Sequence, residues 1–342
     1  MTRDDLIAVF LARNGFDPGR AGPLAQDASF RRYLRITGDR PAVLMDAPPP
    51  EDVRPFLRIA AHMDNSGLSV PGIIAADENN GLVLEEDLGD DLLSALLDSG
   101  HAAESLFDSA IDALIVLQRA TPPGNLPAWD AAAMVSTALG TLFDWWWPAR
   151  FDAPAPVEAR DEIAAALAEM LEPVAAGPVC LVHRDYFAGN LLWLPQRSGA
   201  NRIGIIDFQG SALGHPAYDL VSLLQDARRD IPPAVQQRAI GHYLAARPEL
   251  DPQIFQLAYG ACAAQRHLRV ACQWVRLALR DNRPQYLIHG PRTWRLLDDA
   301  LRQPAAKPLA RALDRWIPAA ARGNPPSLAA PRLEASRLEA RT

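Results

Sequence analysis

Lysine is all but absent from this chain: of 34 basic side chains among 342 residues, only Lys307 is a lysine and the rest are arginines. A site that would rest on an ammonium must be served here by guanidinium groups or backbone amides, a planar fork in place of a compact point charge. Cysteine is scarce too. Cys180, Cys262 and Cys272 lie in apolar contexts without paired or metal-ligand spacing, which argues against a disulfide scaffold and for reduced core residues. No apolar run approaches the roughly 20 residues of a membrane span. The N-terminus sets Asp4 and Asp5 before a run of only about seven apolar residues, unlike a secretory signal. A soluble cytoplasmic protein is expected. The formal net charge of −7 speaks against a nucleic-acid partner, which calls for a basic surface, but not against a nucleotide carried with a metal ion.

What the chain does have is concentrated in residues 179–224. An apolar run at 179–182, a charged turn and a second apolar run at 191–194 read as strand, loop and strand. The loop is His183-Arg184-Asp185-Tyr186-Phe187-Ala188-Gly189-Asn190, so Asp185 and Asn190 share it. A third apolar run, 203–206, delivers Asp207 at its end. Two acids and an amide at the mouths of strands suit phosphoryl transfer. One carboxylate orients the attacking hydroxyl and takes its proton, while the amide and the other carboxylate hold magnesium against the phosphates. The competing reading makes these residues strand-end caps and turn formers.

The spacing His-x-Asp-x-x-x-x-Asn, followed by a strand-borne Ile206-Asp207-Phe208, resembles the catalytic and metal loops of the protein-kinase-like superfamily. With Gln209 next and Tyr218-Asp219-Leu220 after it, the set is similar to the aminoglycoside phosphotransferase and choline kinase branch. That resemblance implies an α+β bilobal fold. A small β-rich N-lobe is expected over residues 1–87 and a larger, mainly helical C-lobe, catalytic and acceptor-binding, over 88–320. It further implies ATP and Mg2+ as cofactors, Asp185 as catalytic base, and Asn190 and Asp207 as metal ligands. His183 reads as a brace for the loop, and Asp219, at a helix start, as a holder of backbone amides. Residues 321–342 are expected to form a disordered tail.

Upstream, Phe30, Leu34 and Ile36 alternate with Arg31, Tyr33 and Arg35, and residues 42–46 follow across a Gly38-Asp39-Arg40-Pro41 turn, a two-strand pattern. In kinase-like proteins the later strand carries a lysine that pairs with phosphates and with a glutamate of the next helix. Here Met45 or Asp46 stands in its place, and the helix expected over 51–66 has no mid-helix glutamate. The run Asp27-Ala28-Ser29-Phe30-Arg31-Arg32-Tyr33 and the strand end Met45-Asp46-Ala47-Pro48-Pro49 resemble the cell-wall amino-sugar kinases of this branch. Substitution is therefore implied: Arg31, Arg32 or Arg35 supplies the charge, and Ser29 with neighbouring backbone such as Phe30 cradles the phosphates. Solvated edge-strand arginines are the alternative. Residues 81–89 read as a strand running into a linker, where the resemblance implies adenine contacts through the backbone of Glu85 and Asp87.

For the acceptor, Trp146, in the aromatic-rich stretch 134–151, is a candidate to stack on a sugar face. The helix expected over 252–282 carries Gln265-Arg266-His267-Leu268, again similar to the amino-sugar kinases, and sets Gln265 and Arg269 on one face. Arg266 or His267 is expected to read an anionic lactyl group or an acetamido group. The partners expected are thus a nucleotide and a small-molecule sugar, N-acetylmuramic acid or N-acetylglucosamine, phosphorylated at its anomeric hydroxyl in peptidoglycan recycling. Rival acceptors are an aminoglycoside, choline or homoserine, served by acids such as Asp226, Asp230 and Asp281. A nucleotide-binding regulator without catalysis is the alternative outside the enzymes. Oligomeric state is not legible.

Overall fold

The computed structural model describes residues 2–24 and 31–329; the candidates Ser29 and Phe30, and residues 330–342 of the tail expected over 321–342, lie outside the described residues. Residues 321–329 of that tail are packed instead: Arg322 donates to Asp298 and Asp314, and Pro326–Ala329 is helical. The chain folds as two compact units, Met1–Asn125 with Ala188–Ser211, and Leu126–Phe187 with Ala212–Thr342.

The first unit is built on an antiparallel sheet of order β1-β2-β3-β5-β4, formed by Ala21–Pro23 (β1), Arg32–Ile36 (β2), Ala42–Asp46 (β3), Ile73–Asp77 (β4) and Leu82–Glu86 (β5). Because side chains alternate along a strand, the register sorts them into two faces. Arg32, Leu34 and Ile36 lie opposite Asp46, Leu44 and Ala42 on one face, while Tyr33 and Arg35 lie opposite Met45 and Val43 on the other; Met45 and Val43 in turn meet Val83 and Glu85. The first face is covered by helix α1 (Arg3–Arg13), whose start is fixed by a capping box between Thr2 and Asp5. Its Ile7 and Leu11 pack with Ile36, Leu44 and Leu84; truncating one such leucine to alanine costs about 2–5 kcal/mol. Gly81 sits at φ +62°, and a Cβ there would stand 1.9 Å from the Ala47 carbonyl oxygen, so only glycine lets β5 begin against the end of β3.

Helix α2 (Arg54–Asn65) buries Phe56, Ile59, Ala60 and Met63 on one stripe, the 3–4 spacing of an amphipathic helix. A hairpin of Leu191–Trp193 with Ile203–Ile205 completes the unit's strands. Residues 88–125, assigned from sequence to the larger lobe, pack here: helix Ala103–Arg119 lies against the turn Gly199–Arg202.

The second unit is mostly helical. Its axis is the helix Pro252–Arg280, started by Asp251, whose carboxylate accepts from the amides of Gln253 and Ile254. A small sheet sets Ala212–Gly214 parallel to Ala128–Trp129 and antiparallel to Cys180–Val182. The three cysteines are buried and free. Among the described residues no helix is long and apolar enough to cross a membrane.

Candidate active site

In the first unit, Asp207 follows strand Ile203–Ile205 with a left-handed backbone, φ +61°. Phe208 explains why the turn holds: its ring is fully buried and stacks on Phe56 of α2 at 4.8 Å. The exposed Asp207 carboxylate accepts from Gln209 Nε2 at 2.6 Å and from Asn190 Nδ2 at 3.4 Å. Asn190 is anchored through its carbonyl, which accepts from the Ile206 amide at 3.1 Å. An amide and a carboxylate thus lie side by side. Rotating the amide would turn its oxygen outward, so the pair presents the hard oxygen donors that magnesium takes. Among the described residues no group of three or more His, Cys, Asp or Glu could hold a metal ion, and two protein ligands fit an ion that draws its other oxygens from phosphate and water.

The Tyr33 face of the sheet belongs to the same unit. Arg31, buried at its edge, donates Nε to Glu51 Oε2 at 3.2 Å and points Nη1 at Met45 Sδ, 3.8 Å away. The Tyr33 hydroxyl donates to the same sulfur at 3.4 Å. A guanidinium therefore reaches Met45, one of the two residues that stand where a lysine was expected. Burial pushes the Glu85 carboxyl up to about 8, against the pull of the Arg31 charge. Tyr33 is pushed up to about 12, first by burial and then by Glu85, and the Asp207 charge adds to this, so the phenol lies within electrostatic range of the Asp207 carboxylate. Arg32 is a correction. It stands on the α1 face, where Nε donates to Asp46 at 2.9 Å and Nη2 meets Asp4 at 3.2 Å, because strand alternation turns it away from Arg31's side. Arg35 keeps to the Tyr33 face but is held by Asp87 and Asp90, both at 2.8 Å, so the Asp87 carboxylate is an anchor at the end of β5.

In the second unit the turn bearing Asp185 is held from below. The fully buried Asp219 accepts from the amides of His183 at 2.7 Å and Arg184 at 2.9 Å. These bonds and the His183 charge oppose burial, which still raises the Asp219 carboxyl. They fix a left-handed Arg184, φ +75°, a conformation costly for a side chain of this size. The Asp185 amide donates to His183 Nδ1 at 3.3 Å, and its side chain is exposed.

The four acceptor candidates are turned elsewhere. Trp146 is fully buried, donates Nε1 to the Gly323 carbonyl at 2.8 Å and packs on Trp294 at 5.1 Å, which leaves no face for a sugar. Gln265 donates to the Met134 carbonyl at 2.7 Å, and Arg266 to Ser222 Oγ at 2.8 Å. His267 shares a 2.7 Å hydrogen bond with Gln225, and burial, then the Arg266 charge, lowers it to about 3; a neutral, buried imidazole does not read an anion. The side chain of this helix that reaches toward Asp185 is Arg269, one turn on from Gln265, whose charge acts on that carboxylate. The spacing of four from Gln265 was its only sequence signal.

Solved structures with this fold include a choline/ethanolamine kinase family protein from Mesorhizobium loti, with TM-score 0.60 and 15% identity over 92% of this chain and 100% of that one. Another is the ADP-bound aminoglycoside phosphotransferase APH(2'')-Ib, with TM-score 0.57 and 14% identity over 89% and 98%. The fold is protein-kinase-like, an antiparallel sheet with a mostly helical remainder, and the class is that of kinases transferring phosphate to a hydroxyl group. Residues 20–252 match the phosphotransferase enzyme family, and the chain belongs to it. Curated relatives include the N-acetylmuramate/N-acetylglucosamine kinases of Caulobacter vibrioides, 36% identical over 92% of this chain and 97% of the relative, and of Pseudomonas aeruginosa, 36% identical over 83% and 84%.

Proposed function

We propose that this protein is a cytoplasmic, ATP- and magnesium-dependent kinase that phosphorylates the anomeric hydroxyl of N-acetylmuramic acid and N-acetylglucosamine released from the cell wall. The observation that carries this reading is the match, over nearly the whole of both chains, to a relative with that named activity. The Asp185, Asn190 and Asp207 set is complete beside it.

In this reading Asp185 orients the acceptor hydroxyl and takes its proton during direct in-line transfer, without a phosphoenzyme. An anomeric hydroxyl is more acidic than an ordinary alcohol, so a modest base suffices and positioning dominates. Asp219 and His183 fix the backbone beneath that carboxylate. Asn190 and Asp207 would hold the magnesium ion, with Gln209 steadying the carboxylate. When bound, magnesium supplies positive charge that offsets the build-up on the phosphates. Arg31 serves in place of the lysine, presenting its guanidinium across Met45, and the backbone of Glu85 and Asp87 takes the adenine.

The test is product analysis. Incubation with ATP, magnesium and N-acetylmuramic acid should release ADP and give a phosphorus NMR signal coupled to the anomeric proton. Coupling to another proton would move the reaction to a different hydroxyl. Magnesium-dependent nucleotide binding without turnover on any sugar of a panel would favour a regulator instead.

A further inference from the structure

We infer that Arg269 and Arg276, with Arg184 beside them, form a carboxylate-binding cradle next to Asp185 that makes the enzyme favour N-acetylmuramate over N-acetylglucosamine. The inference rests on the sugar-kinase reading and names the group that sets its preference.

The geometry starts from Trp129. Its buried indole is bracketed by two guanidiniums, with Arg184 Cζ 4.0 Å and Arg269 Cζ 5.8 Å from the ring centroid. Arg184 is the chain neighbour of Asp185, and the Arg184 and Arg269 charges both act on that carboxylate. Two cations sharing one indole repel each other, and Arg184 is lowered by burial first and by Arg269 next. Arg276 is seven residues beyond Arg269, two turns along the same stripe of the helix; it is lowered by burial first and by the Arg280 charge next, Asp281 opposes this, and Arg269 adds to the lowering.

The partners of these groups are mostly neutral. Arg269 donates to Gln273 Oε1 at 2.8 Å and to the Tyr218 hydroxyl at 3.1 Å, and its Nε is buried with no partner. Nε of Arg276 is likewise buried and unbonded. Neither arginine forms an ion pair among the described residues, and the next acid along the chain, Asp281, is taken by Arg280 at 2.8 and 3.0 Å. A half-buried guanidinium without a carboxylate in hydrogen-bond reach leaves the strong, forked hydrogen bonds of which it is capable unmade. A carboxylate on the acceptor supplies them and relieves the repulsion. N-acetylmuramic acid carries one on its lactyl ether; N-acetylglucosamine does not. A cationic acceptor would meet charge of its own sign, and the acids that might have served it are engaged elsewhere. Asp226 is buried within range of the Arg266 charge, and Asp230 is bonded to Arg292 and Arg295.

The test compares the full-length wild type with Arg269→Ala and Arg276→Gln. The ratio of kcat/KM for N-acetylmuramate to that for N-acetylglucosamine should fall about tenfold or more in Arg269→Ala and several-fold in Arg276→Gln, chiefly through KM for N-acetylmuramate. Arg276 has no hydrogen-bond partner among the described residues, so its variant keeps the test alive if Arg269→Ala misfolds. An unchanged ratio in the folded variants, whether or not overall activity falls, overturns the cradle. Calorimetric titration with each sugar needs no turnover. Tighter binding of N-acetylmuramate by wild type, abolished in the variants, supports the cradle even if neither sugar is phosphorylated, a result that would strike the kinase reading instead. Equal affinity of wild type for the two sugars, or no binding of N-acetylmuramate, refutes the cradle.

Discussion

Both units of this protein pair arginines with acids, but the helical unit also holds two, Arg269 and Arg276, in no ion pair among the described residues. In the sheet-bearing unit Arg3 and Arg32 share Asp46, Arg35 is clamped by Asp87 and Asp90, Arg31 meets Glu51, and Arg197 meets Glu86 at 2.6 Å. In the helical unit Arg269 meets an amide and a phenol, and Arg276 meets no hydrogen-bond acceptor at all among the described residues. Exposed ion pairs contribute only about 0–1 kcal/mol each, and half-buried ones trade their attraction against desolvation, so the first set mainly aims strands and loops. In the second set Arg269 feels the Asp185 charge and Arg276 that of Asp281, but neither has a carboxylate within ion-pair distance among the described residues, so part of the burial cost of each stays uncompensated. In the proposed reading, paired charge shapes the nucleotide side and the two guanidiniums without an ion pair await the acceptor.

The largest test of that contrast is Asp185→Asn, which removes the carboxylate whose charge acts on Arg184 and Arg269. Turnover should fall about 10²–10⁴-fold with binding of magnesium ATP, measured by titration, unchanged. A wild-type kcat in this variant would remove Asp185 as the base. A smaller effect separates the two faces of the sheet. Arg31→Ala should raise KM for ATP about tenfold, whereas Arg32→Ala, on the α1 face, should leave it near wild type and lower only the melting temperature slightly. Equal effects on KM would erase the distinction between the faces. The smallest effect is on pH dependence. The folded Glu85 carboxyl, at about 8 against an ordinary 4.5, binds a proton that the unfolded chain releases. Stability tied to it is full below about 4.5 and is lost as pH rises through about 8. Melting curves from pH 5 to 9 should therefore decline less steeply for Glu85→Gln than for wild type. Parallel declines would show that Glu85 is charged throughout.

Much of this was legible from local pattern. The strand-loop-strand run around Asp185 and Asn190, the delivery of Asp207, and the alternation in 32–36 depend on short-range periodicity. The missing lysine pointed to an arginine in its stead, but the choice among Arg31, Arg32 and Arg35 was open, since all three lie on or beside one strand. Only the sheet's register and α1 turned Arg32 outward. The run Gln265-Arg266-His267 misled for a related reason: successive helical residues lie about 100° apart, so three adjacent polar side chains cannot serve one site. Ser222, Gln225 and the Met134 carbonyl claimed them. Trp146 was drawn into the core because Gly323, 177 residues away, offers its carbonyl there.

By itself the sequence determined which chemical groups exist and in what local order: two acids and an amide at strand ends, almost no ammonium, and an alternating strand that had to bury one side. Tertiary structure alone decided which of the many arginines acquires a carboxylate and which is left without one. A guanidinium's partner comes from whatever distant segment packs against it, and no periodicity within a strand or helix encodes that distance.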